Sequence, residues 1–66
     1  MENRVEILRK ERGLSQEDFA KAIRVSRQTV SSIENGKYNP SLDLAFAIAE
    51  FFDATIEEIF IYKGGR

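Results

Sequence analysis

Ser15-Gln16-Glu17-Asp18-Phe19-Ala20-Lys21-Ala22-Ile23-Arg24-Val25-Ser26-Arg27-Gln28-Thr29-Val30-Ser31-Ser32-Ile33-Glu34-Asn35-Gly36 is the stretch on which the fold turns. Ser15 with Asp18 opens one helix, running to about Ile23. Ser26 opens a second, because a hydroxyl oxygen can accept one of the N–H groups left unpaired in a first helical turn. Gly36, after Asn35, closes the second helix at a position that suits a left-handed conformation. Phe19, Ala20 and Ile23 form the inner stripe of the first helix. Ala20 is small enough to let the two helices cross closely, and Val25 plugs the corner inside the three-residue turn Arg24-Val25-Ser26. Together they describe a helix-turn-helix over about residues 15–35.

The second helix has two unlike sides. At about 100° per residue, Arg27, Gln28, Ser31 and Ser32 share one side, and Val30 with Ile33 take the other, which must face a core. A row of Arg, Gln and hydroxyls differs from the Glu-Lys pattern of a merely solvated helix. Arg and Gln also carry the paired donor and acceptor geometry that matches guanine and adenine edges in the DNA major groove. This face alone leaves plain solubility as an equal explanation. The tight turn that projects the helix outward favours a groove-reading role.

Upstream, Val5, Leu8, Arg9 and Arg12 share a helical face, so Arg9 lies on or beside the inward stripe. Glu34, four residues after Val30, also leans inward. A buried charge without a partner is very costly, so Arg9 and Glu34 are expected to meet as a structural ion pair. Asn3 with Glu6 reads as a capping pair and Gly13 as a C-terminal stop, giving a first helix of about 4–12. Downstream, Pro40-Ser41 opens a fourth helix, with Leu44, Ala45, Ile48, Ala49 and Phe52 as its apolar stripe. Asp53-Ala54-Thr55 ends it. Thr55 with Glu58 forms a capping box for a short fifth helix, about 56–60. The β-favouring Ile61-Tyr62-Lys63 is either a strand against Met1 to Asn3 or a frayed tail. The fold expected is an all-α five-helix bundle in one domain, 1–66, with a terminal β-strand pair left open.

Composition limits the functions available. The chain has 66 residues, of which 42% are hydrophobic, and neither Cys nor His. That excludes disulfide frameworks, the commonest zinc sites and catalysis by either residue. Glu57-Glu58 is better explained as a first-turn dipole partner and a capping carboxylate than as an acid–base pair, so no enzyme is expected. Net charge is −1, yet residues 1–40 carry 8 basic and 6 acidic side chains and residues 41–66 carry 2 and 5. A basic face in the front half is therefore compatible with a polyanion partner. No apolar run approaches the roughly 18 residues of a membrane span, and the opening Met1-Glu2-Asn3-Arg4 is no signal peptide. A cytoplasmic chain without cofactor, membrane or small-molecule partner is expected.

At this point the residues resemble a known family. Gly13-Leu14-Ser15-Gln16, Phe19-Ala20, Val25-Ser26-Arg27-Gln28-Thr29, Ile33 and Glu34-Asn35-Gly36-Lys37 are similar, at their mutual spacing, to the phage repressor and Cro class of regulators, the xenobiotic-response-element family. The resemblance covers about residues 4–60. Tyr38-Asn39-Pro40-Ser41 through Ile59-Phe60 and the short tail are similar to its minimal, cytolysin-repressor-like members. It implies a lambda-repressor-like DNA-binding bundle that binds double-stranded DNA and regulates transcription, as a dimeric repressor on an inverted repeat. It also implies that Arg27, Gln28 and Ser32, with Ser31 a weaker candidate, read bases. Gln16, Thr29, Asn35, Lys37 and Tyr38 would meet the sugar-phosphate backbone. Arg9 and Glu34 match the family's interior salt bridge. For the dimer surface it points to Asn39, Pro40, Ile56 and Phe60, while Ile7, Phe46 and Ile61-Tyr62 are expected to pack beneath the tail within each subunit.

One departure stands out: the family usually has Gly at the first turn residue, and here it is Arg24. Positive φ is expected there at a cost of about 1 kcal/mol relative to Gly, or else an altered turn. A protein-interaction module, such as an antitoxin or adaptor on the same fold, is the competing reading. Its mark would be an extra tail or an exposed apolar groove.

Overall fold

Four hydroxyls start four helices. Ser15, Ser26, Ser41 and Thr55 each sit in extended backbone and accept the N–H three residues on, from Asp18, Thr29, Leu44 and Glu58. The computed structural model describes residues 1–64. In chain order the elements are β1 (Glu2–Asn3), α1 (Val5–Glu11), α2 (Gln16–Ala22), α3 (Arg27–Glu34), α4 (Leu42–Phe52), α5 (Ile56–Ile59) and β2 (Phe60–Ile61). The expected all-α five-helix bundle is therefore present, and the terminal segments do pair. β1 and β2 form a two-stranded antiparallel sheet with Glu2 opposite Ile61 and Asn3 opposite Phe60.

The inward stripes meet in one core. Val5, Phe19, Val30, Ile33, Ile48 and Ile59 are fully buried, one or two from each helix, so no helix can leave without opening the core. Phe19 stacks on Phe52 and meets Phe51 edge-on, with ring centroids 5.1 and 5.3 Å away, joining α2 to the end of α4. Such aromatic pairs add about 0.5–1.5 kcal/mol beyond their burial.

The turn between α2 and α3 confirms the strained position. Arg24 has φ 62°, and the next residue, Val25, donates its N–H to the Ala20 carbonyl at 2.9 Å. Val25 packs against the core and Ala20 is buried, the close crossing expected of a small residue at that site.

Three sequence expectations need correction. α1 starts on Arg4, which makes no side-chain cap. Asn3 lies in β1 instead, its Oδ1 accepting the Val5 N–H at 3.1 Å. Glu6 does not reach back; it pairs with Lys10 one turn on, at 3.1 Å. α5 ends at Ile59 because Phe60 turns extended to join β2. Finally, Ile7, Phe46, Ile61 and Tyr62 do not pack beneath the tail. Ile7 is 51% exposed, Phe46 57% and Tyr62 76%, and Ile61 is exposed as well. β2 pairs with β1, forming a terminal ribbon, rather than folding over α4, and all four stay exposed.

Candidate nucleic-acid interface

α3 presents its two sides as helical geometry requires. Val30 and Ile33 are buried, Arg27 and Gln28 are exposed, and Ser31 and Ser32 are half-buried. Ser26, Gln28, Thr29, Ser32 and Tyr38 line an open, largely hydroxyl-walled hollow of about 240 Å³. Ser26 belongs to this hollow although its sequence signal was only that of a cap. Its Oγ lies 2.9 Å from Thr29 Oγ1 and also accepts the Thr29 N–H at 3.1 Å. The hydroxyl three residues further on was the available hint.

Behind this face lies the ion pair. Arg9 Nε donates to Glu34 Oε2 at 2.7 Å and an Arg9 terminal nitrogen to Oε1 at 3.1 Å. A further Arg9 N–H goes to the Leu14 carbonyl at 2.8 Å. Both side chains are buried, and no buried side-chain polar atom among the described residues lacks a partner. The Glu34 hydrogen bonds hold the Arg9 guanidinium above its ordinary pKa, outweighing the opposing effect of burial. The pair joins α1 to α3 in the forked geometry that favours Arg over Lys.

Gln16, the first residue of α2, extends that network outward. Its Nε2 donates to Glu34 Oε1 at 3.0 Å, and its Oε1 accepts from Arg27 at 3.4 Å. A chain of hydrogen bonds thus runs from the buried Arg9 through Glu34 and Gln16 to the exposed guanidinium of Arg27. Asn35 caps the end of α3, its N–H directed to the Ser31 carbonyl, and Gly36 follows with φ 79°. The Lys37 and Tyr38 N–H groups both turn back to the Ser32 carbonyl, at 3.0 and 3.1 Å. That turn holds Lys37, Tyr38 and Asn39 as an exposed shoulder next to the face of α3.

The family model for the helix-turn-helix matches residues 5–59. The chain belongs to the helix-turn-helix family of transcriptional regulators. This regulator is 56% identical over 63 residues to an uncharacterized HTH-type transcriptional regulator of Methanocaldococcus jannaschii, MJ0272, covering 96% of each chain. It is 45% identical over 60 residues to YgzD of Bacillus subtilis, covering 91% of each. Among solved structures it is similar to the restriction-modification controller protein C.AhdI of Aeromonas hydrophila, with TM-score 0.77, 35% identity and 86% of each chain covered. A transcriptional regulator from Listeria innocua has the same fold over the whole of this chain and 65% of its own, with TM-score 0.81 and 23% identity.

A second surface lies elsewhere on the regulator. Met1, Phe46, Ala49, Ile56, Phe60 and Tyr62 are among the residues lining an open groove of about 600 Å³. Of the residues assigned to a dimer surface from sequence, Ile56 and Phe60 line it, and Asn39 and Pro40 do not. Phe60 is only 7% exposed, since it packs into the core from the start of β2. It forms part of the groove wall and cannot act as a projecting anchor. The projecting side chains are Phe46 and Tyr62. No helix among the described residues is long and apolar enough to cross a membrane.

Proposed function

We propose that the regulator is a homodimeric repressor that reads an inverted repeat with α3 in the DNA major groove. The observation that carries this reading is the outward side of α3, where Gln28 is exposed beside an Arg27 braced through Gln16 and Glu34 onto the buried Arg9. A base-reading side chain gains specificity when its position is set before binding. Arg27 and Gln28 take base edges, with Ser32 and Ser31 as shorter hydrogen-bonding partners. Gln16, Thr29, Asn35, Lys37 and Tyr38 take the backbone. An amide nitrogen carries two N–H groups, so Gln16 can hold Glu34 with one and a phosphate with the other.

One α3 covers only a few base pairs, and specific affinity calls for a second copy about one helical turn away, roughly 34 Å. The open groove at Phe46, Ile56 and Tyr62 supports a second copy of the chain as its occupant. The similarity to C.AhdI, a restriction-modification controller protein, favours regulation by a small helix-turn-helix protein of this kind.

The test uses a duplex selected by the wild-type protein from a random pool. Arg27→Ala and Gln28→Ala each weaken binding to it by about 1–3 kcal/mol with no change in melting temperature. Lys37→Ala weakens selected and random duplexes alike and lowers the salt slope by about 1. Variants that all bind as tightly as the parent sink the assigned face. Sedimentation equilibrium showing only monomer at micromolar concentration sinks the dimer.

A further inference from the structure

Asn3 touches both functional surfaces. Its backbone pairs with Phe60, a wall of the apolar groove, and its Nδ2 donates to the Ile33 carbonyl in the last turn of α3 at 2.8 Å. Its Oδ1 accepts the Val5 N–H, so both ends of the amide are held. The Arg4 N–H, just after β1, goes to the Ile59 carbonyl at 2.8 Å, tying the end of that strand to α5. Where α3 ends, Gly36 lies against the Met1 backbone: a Cβ there would sit 3.5 Å from the Met1 carbonyl oxygen. The terminal ribbon is thus a short, hydrogen-bonded strut between α5 and the far end of α3.

We propose that Asn3 is a positioning residue that sets the angle of α3 relative to the two-fold axis, and so fixes the half-site spacing the dimer accepts. This rests on the dimeric reading above. Lengthening the spacer by one base pair moves the second half-site by about 3.4 Å along the axis and rotates it around the duplex. A dimer with α3 strutted to its interface rejects that displacement. One whose α3 lacks the strut, and is held by side-chain packing, the α2–α3 turn and the Arg9–Glu34–Gln16 hydrogen bonds, follows it more readily.

The test compares wild type with Asn3→Ala and Asn3→Ser. Serine keeps an oxygen able to accept the Val5 N–H but is too short to reach Ile33, so it isolates the strut from the start of α1. Sedimentation equilibrium on the free proteins comes first, followed by binding to the selected duplex and to the same duplex with one base pair added between half-sites. Wild type prefers the selected spacing by about tenfold or more, the scale of one mismatched base pair. Both variants remain dimers, and their preference falls to about threefold or less. An unchanged ratio, even with a lower melting temperature and uniformly weaker binding, overturns the role of Asn3 and leaves the dimer standing. Wild type that sediments only as a monomer overturns the dimer and the strut together.

Discussion

Two solvent-facing regions of this small chain are built from opposite materials. On α3 the exposed groups are polar, and the key one, Arg27, is held by a hydrogen-bonded chain that ends on a buried charge. Around α4, α5 and the ribbon the exposed groups are large and apolar, among them Leu42 (67% exposed), Phe46 and Tyr62, with the carboxylates Asp43, Glu50 and Glu57 nearby. Polar side chains in water keep their hydration, so bracing them gives them direction. Apolar side chains in water gain only by being covered, and need a complementary surface more than they need direction. The difference separates a face suited to reading hydrogen-bonding groups from one suited to association.

The largest effect is expected behind the reading face. Removing either charge, by Glu34→Ala or Arg9→Ala, leaves the other buried and unpaired and destabilises the fold by about 3–5 kcal/mol in urea unfolding. The double substitution Arg9→Met with Glu34→Leu is expected to recover most of that loss while lowering specific DNA affinity, because Gln16 then has no anchor. A double variant that binds as well as the parent means the brace does not reach Arg27.

On the other face, Phe46→Ala is expected to weaken the dimer by about 2 kcal/mol, as truncating a central aromatic does. It leaves the subunit fold intact, since Phe46 is mostly exposed. Analytical ultracentrifugation across a dilution series measures it, and an unchanged dissociation constant removes Phe46 from the interface. Smaller still, Arg24→Gly is expected to raise stability by up to about 1 kcal/mol, because it relieves a positive φ. A clear fall in melting temperature counts against strain in that turn.

The smallest effect is a pH dependence in α5. The Thr55 backbone N–H and hydroxyl hold the Glu58 carboxyl below its usual range. A carboxyl depressed in the folded state contributes stability above its unfolded pKa and loses it as pH falls through the folded value. The melting-temperature advantage of wild type over Glu58→Gln is therefore present at neutral pH and shrinks below about pH 4. An advantage that does not change with pH rules out this origin.

Much of the outer side of α3 is legible in the residues because it depends on local chemistry. Hydroxyls in front of α2 and α3, the 30/33 apolar pair and the inward leanings of Arg9 and Glu34 all follow from helical spacing. The apolar side around α4, α5 and β2 is less legible. Ile7, Phe46, Ile61 and Tyr62 are expected beneath the tail, yet the described chain leaves them exposed. Arg12 shows the same limit: it donates to the Phe52 carbonyl at 3.1 Å and lies 5.4 Å from that ring's centroid. Forty residues separate the two in sequence, and no local pattern links them.

Helix positions, their caps, the buried stripe of each and the character of α3's outer side were settled by the order of residues, because these depend on neighbours three or four places away. Which exposed apolar groups stay uncovered, and that Asn3 joins the end of α3 to the ribbon while also holding the first N–H of α1, depended on how the elements packed. Contacts between distant segments are selected by the shape and hydrogen-bond needs of the whole core, and those come into being only when the chain has closed on itself.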